Sequence, residues 1–145
     1  MAMDRQGTGL AVLRIMIGVF FMFEGLGKLR WFVDPSILQN QLGGWHQSAA
    51  AGSMVATYLE RFAIPGIQVF ARLVPIGEFG CGLALVLGFW TPVFASILFL
   101  MVLNFQFASG NLFKYAFLTS GYGLPVLGST LALAIGGVKL RWSMK

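Results

Sequence analysis

Arg14, Glu24, Arg72 and Glu78 lie inside stretches otherwise apolar enough to cross a lipid bilayer. Ionised side chains at that depth are costly unless they pair with one another or face a polar cavity, so they mark where chemistry could occur. Carboxylates and guanidiniums held away from water are suited to hydrogen bonding a polar ligand, and the carboxylates to exchanging a proton with it. Glu78 is nearest the middle of its apolar stretch and is the best single candidate for carrying a proton, a role that titration of its carboxylate would reveal.

Helix rise sets which of these groups can meet. At roughly 1.5 Å per residue, Glu24 near the end of the first apolar stretch and Arg72 near the start of the second reach similar depth in an antiparallel pair. That predicts a Glu24–Arg72 ion pair. Arg14 lies near the other end of the first stretch and is offset from Glu78 by about 9 Å in depth, which only long side chains or water could bridge. Arg14, Gly18, Phe21, Gly25 and Lys28 recur at steps of four and three and share one helical face. Gly18 and Gly25 on that face, and Gly82 on the second stretch, are candidate packing positions where a neighbouring helix can approach closely. Pro75, between Arg72 and Glu78, frees the carbonyl of Ala71 and predicts a kink. A purely structural role competes with these readings, because buried ion pairs can fix the register of a bundle and Arg14 can snorkel toward the interface.

Other chemistry-bearing residues are sparse. His46 is the sole histidine, so the chain cannot supply bis-histidine haem ligation by itself. Cys81 is the sole cysteine and sits between Gly80 and Gly82, which predicts a buried packing role and excludes an internal disulfide or a CxxC motif. Asn104 and Gln106 read as hydrogen-bond partners between helices. No phosphate loop, zinc-protease motif, nucleophile motif or dinucleotide fingerprint occurs, which disfavours an enzyme acting alone.

The elements that must position these residues follow from composition. Of 145 residues, 57% are hydrophobic and 10% charged, and the mean hydropathy is +0.79. A water-soluble domain of this size would expose too much apolar surface, so the expected class is all-α: an integral membrane four-helix bundle in one domain, with spans near 8–29, 64–87, 91–109 and 121–138. The first apolar run is too long for a cleaved signal peptide and reads as a retained span. Gly88 to Pro92 is a turn short enough to force an antiparallel hairpin. The fourth span is the weakest, interrupted by Gly123, Pro125 and Gly128.

Residues 30–63 are too polar for hydrocarbon and read as an interfacial helical segment. Asp34 and Pro35 start a helix expected to run through Leu42 and end at Gly43 and Gly44. A second helix, from about Ala49 to Phe62, should put Met54, Val55, Tyr58, Leu59 and Phe62 on one stripe. The ten basic residues are scattered, so the net charge of +5 suits anionic lipid headgroups better than nucleic acid. Charge does not orient the chain: Arg5, Lys139, Arg141 and Lys145 on one side balance Lys28, Arg30, Arg61 and Lys114 on the other.

Together these residues resemble the DoxX-like family of small four-helix membrane proteins, which includes the DoxX and DoxD subunits associated with thiosulfate:quinone oxidoreductase. Leu13-Arg14-Ile15 with Gly18, Phe21, Gly25, Lys28 and Leu29 resembles the family's first helix. Glu78, Gly82, Leu83 and Leu87-Gly88, then Thr91, resemble its second. Leu131 to Ala134, Gly136-Gly137 and Lys139-Leu140 resemble its tail, with Arg141-Trp142 standing where a serine-leucine-aspartate ending is commoner. Glu24 departs from the family pattern, where a small or apolar residue is usual.

The resemblance implies a bacterial or archaeal plasma membrane, both termini cytoplasmic, other redox subunits as partners, and quinone as the small molecule. On that reading Arg14, Arg72 and Glu78 would contact a quinone carbonyl, with Phe21 and Phe79 as walls. A small proton-linked transporter and a structural or assembly subunit are the alternatives; Pro-broken helices with midplane charges suit the former.

Overall fold

The computed structural model describes residues 2–144, with side chains from Arg5 onward. Lys145, counted above among the basic residues, lies outside the described residues. The chain is all-helical, with no strand among the described residues. Three helices are long and apolar enough to cross a membrane: α1 (Ala2–Gly27), α5 (Ile67–Leu87) and α6 (Thr91–Ala108). A fourth, α8 (Leu124–Gly136), is shorter. At its 13 residues it rises about 20 Å, two-thirds of a hydrocarbon core. Gly123 and Pro125 delay its start and Gly137 ends it, so it falls short of the expected 121–138.

Around the bundle α1 packs on α5, α5 on α6, α6 on α8, and α8 back on α1. Between α1 and α5 the contact is backbone to backbone. A Cβ on Gly18 would lie 2.7 Å from the Gly82 carbonyl oxygen, and one on Gly82 would lie 2.6 Å from that of Gly18. Gly25 is equally tight, 2.7 Å from the Phe79 nitrogen. Outward faces carry Met16, Phe23, Leu73, Ile76 and Leu100, all exposed, as helices in lipid require.

The segment between α1 and α5 folds into α2 (Arg30–Val33), α3 (Ser36–Ser48), α4 (Met54–Tyr58) and a π-helical turn, Leu59–Ala63. Asp34 accepts from the Ser36 amide at 3.0 Å, but α3 passes through Gly43 and Gly44 to Ser48. Neither glycine is left-handed, and the apolar stripe Leu38, Leu42, Trp45 continues past them onto the bundle. The next helix begins later than expected, with the Ser53 hydroxyl accepting from the Ala56 amide. Its buried stripe is Ala56, Leu59 and Ala63, while Met54 and Phe62 point outward. The π-helical turn shifts the facing by one residue, which a regular helical period does not anticipate.

Pro75 sits inside α5 without interrupting it. After α6, α7 (Tyr115–Thr119) and a loop lead to α8. Two apolar clusters result, one within the bundle around Phe21, Leu85 and Leu98, the other under the interfacial segment around Trp31, Leu59 and Val74. Along α5, Glu78 falls between Val74 of the second and Cys81 of the first. Cys81 is a free thiol buried in the bundle cluster.

Candidate functional site

Glu78 is fully buried on the face of α5 that meets α1. Lys28, in the turn just after α1, reaches it with Nζ 2.7 and 2.6 Å from the two carboxylate oxygens. The Tyr122 hydroxyl, from the loop before α8, donates to Glu78 Oε1 at 2.8 Å. Glu24, one turn before Lys28 on α1, accepts from the same ammonium at 3.1 Å. Two carboxylates therefore share one cation, so the fully ionised cluster carries a surplus negative charge that a single proton neutralises.

Aromatic rings surround the ammonium. Lys28 Nζ lies 5.4 Å from the Tyr122 ring centre, 5.6 Å from Phe105 and 5.9 Å from Trp31, all within cation–π range. These groups form one wall of a cavity of about 320 Å³, which Trp45, Gln106 and Asn111 also line. Gln106 donates to the Tyr122 carbonyl at 3.2 Å and so fixes the loop that carries the tyrosine. Charged and amide donors, aromatic walls and a volume at the lower end of small-ligand pockets are the features of a binding site.

The four charges named from the sequence do not form one centre. The expected Glu24–Arg72 pair is absent: Arg72 is exposed and bonds Gln68 on its own helix, at 2.8 Å to the carbonyl and 3.3 Å to the side chain. Arg72 is six residues from Glu78, which on a helix turns it about 120° away from the α1-facing side. Equal depth was satisfied and facing was not. Glu24 and Glu78 do come together, through Lys28.

Arg14 lies apart, toward the other end of the bundle, and does not reach Glu78. It is fully buried, yet its partners are the Ser143 hydroxyl and, at 2.9 Å, the Trp142 carbonyl, both from the C-terminal tail. Its guanidinium lies directly on Gly88, where the left-handed φ of +73° and the absence of a Cβ make room for it. Phe21 packs edge-on to Phe20 and Tyr122 behind the Glu78 cluster.

Sequence reasoning missed the two direct partners of Glu78. Lys28 carried a signal, since it shares the Gly18–Gly25 face and a long flexible side chain at a span's end can reach inward. Tyr122 carried none, because it belongs to a loop whose path depends on packing far away in the chain. Of the remaining polar residues, Asn104 accepts from the Tyr58 hydroxyl at 2.6 Å, linking α6 to the interfacial segment. His46 meets Glu60 at 2.7 Å on the surface of that segment. No group of histidine, cysteine and acidic residues suited to a metal ion occurs among the described residues.

The DoxX family model matches residues 9–110, which span α1 to α6 and include Arg14, Glu24, Lys28 and Glu78, but neither Tyr122 nor Ser143. No curated protein and no solved structure matches the chain.

Proposed function

Because this chain belongs to the DoxX family, we propose that it is the integral membrane subunit of a quinone-linked redox assembly and that the cavity beside Lys28 receives the quinone headgroup. One observation carries the reading: Lys28 and Tyr122, both hydrogen-bonded to the fully buried Glu78, line an aromatic-walled cavity. Lys28 turns to a quinone carbonyl the N–H it otherwise gives the partly exposed Glu24, Trp31 and Phe105 pack on the ring, and Tyr122 holds Glu78 in place. Reduction to the quinol takes up protons as well as electrons. Glu78 delivers a proton through Lys28 or Tyr122 and is recharged by way of Glu24 at the cavity's lip, while an associated redox subunit supplies the electrons. Arg14 and Arg72, named from the sequence as quinone contacts, take no part in this version, since neither adjoins the cavity. The whole chain acts as a single membrane domain, with both termini cytoplasmic and the cavity toward the opposite face of a bacterial or archaeal plasma membrane.

The test is quenching of Trp31 and Trp45 fluorescence by a short-chain quinone added to the purified protein in detergent. Saturable quenching that weakens severalfold in Tyr122→Phe, which releases Glu78, and in Gln106→Leu, which releases the loop carrying Tyr122, is expected. Quenching that is linear, or equal in the variants, refutes the site. Proton-coupled solute flux in liposomes without quinone binding would favour the carrier reading instead.

A further inference from the structure

Arg14 is a fully buried guanidinium with no carboxylate at ion-pair distance among the described residues. A buried charge is normally paired, since leaving it unpaired in a low-dielectric interior is expensive. Neutral acceptors from Ser143 and Trp142 take one hydrogen bond from each of its two terminal nitrogens, and its Nε has no partner among the described residues. Beside it lies a cavity of about 580 Å³ between the α5–α6 turn and the C-terminal tail, bordered by Gly88, Thr91, Lys139 and Ser143.

The donors around this cavity are unspent. The Thr91 hydroxyl has no hydrogen-bond partner but is itself enclosed, so the threonine borders the cavity through its other atoms. Ser143 Oγ accepts from Arg14, so its own proton remains to be donated. Lys139 brings a second positive charge to the rim. Thr91 is also the first residue of α6, an 18-residue helix whose positive end therefore abuts the cavity. The rest of the lining comprises Gly137, the apolar Pro92, Val138, Leu140 and Met144, and Trp90, whose ring is apolar apart from its indole N–H.

We propose that this cavity binds an oxyanion of the phosphate class, held by the Ser143 hydroxyl and by Lys139 beside the positive end of α6, with Arg14 as the buried counter-charge behind Ser143. The anion neutralises a buried cation that has no carboxylate partner among the described residues. The same chemistry is offered by a phospholipid headgroup, whose glycerol and acyl portions would lie on Val138, Leu140 and Met144, and by free phosphate from the aqueous side.

Two arms separate these sources. In the first, native mass spectrometry reads lipid retained by the full chain after mixing with phosphatidylglycerol or with phosphatidylcholine. In the second, the detergent-solubilised protein is titrated with inorganic phosphate and binding is read from phosphorus NMR line broadening. A preference of at least about tenfold for phosphatidylglycerol, reduced about tenfold in Ser143→Ala and severalfold in Lys139→Gln, assigns the site to lipid. Saturable phosphate binding lost in the same variants, without lipid preference, assigns it to a soluble anion. Absence of both, or binding equal in both variants, overturns the proposal. Lys139 is exposed, so its variant reports on binding even if a buried substitution lowers folding yield.

Discussion

Removing the two partners of the buried ion pair should have unequal consequences. Lys28 Nζ and Glu78 Oε2 are 2.6 Å apart, and at an effective dielectric constant of about 20 their attraction is about 6 kcal/mol before desolvation is subtracted. Lys28→Met leaves Glu78 buried with only the Tyr122 hydroxyl as donor, which should cost about 3–5 kcal/mol of stability, the usual result of stranding a buried charge. Glu78→Gln keeps an oxygen that can accept from both Lys28 and Tyr122, while Lys28 retains Glu24, so its cost should be about 1–2 kcal/mol. The double variant strands no charge, because Glu24 is over a third exposed and can turn to water. It should be more stable than Lys28→Met alone, with a coupling of about 2 kcal/mol or more. Unfolding of all four proteins in one detergent, followed by tryptophan fluorescence against denaturant, gives the cycle. The reasoning fails if Lys28→Met costs no more than Glu78→Gln, or if the double variant is the least stable of the set.

Two glycines on the same helix should behave oppositely. Gly82→Ala pushes a methyl against the Gly18 carbonyl and should cost about 1–3 kcal/mol, whereas Gly80, with nothing within 4 Å of the added Cβ, should tolerate alanine or gain up to about 1 kcal/mol; the same unfolding assay compares them. Arg72→Gln should change stability by less than about 0.5 kcal/mol, since the side chain is exposed and bonds only its own helix. A large loss there would mean that Arg72 has a partner across the bundle after all.

The membrane class and the three long helices were legible because apolar runs of bilayer length, ended by Gly88 or by polar residues, leave few alternatives. So was the glycine face of α1, read from steps of three and four and met in the structure by Gly82. The site itself was only half legible. Glu78 and Glu24 stand out by type and depth, but a depth argument says nothing about rotation, and rotation decided against Arg72. Arg14 finds its partners 128 and 129 residues away, in a tail whose sequence has no feature announcing the return. The glycines in α3 misled for a related reason: their conformational freedom permits a helix to stop, but the burial of Leu42 and Trp45 continues it.

The carbonyl-to-Cα fit of Gly18 and Gly82 leaves no compressible layer of side chains between α1 and α5. Sliding either helix by a fraction of a turn would drive main-chain atoms into one another, so the two behave as a fixed post to which Glu78 and Lys28 are both anchored. Any widening of the cavity beside them must then come from its other walls, where α6 holds Phe105 and Gln106, the loop before α8 holds Tyr122, and α2 and α3 hold Trp31 and Trp45. Spin labels paired across α1 and α5 should therefore keep one distance with and without ligand, while a pair joining α1 to the Tyr122 loop should report the breathing of the site.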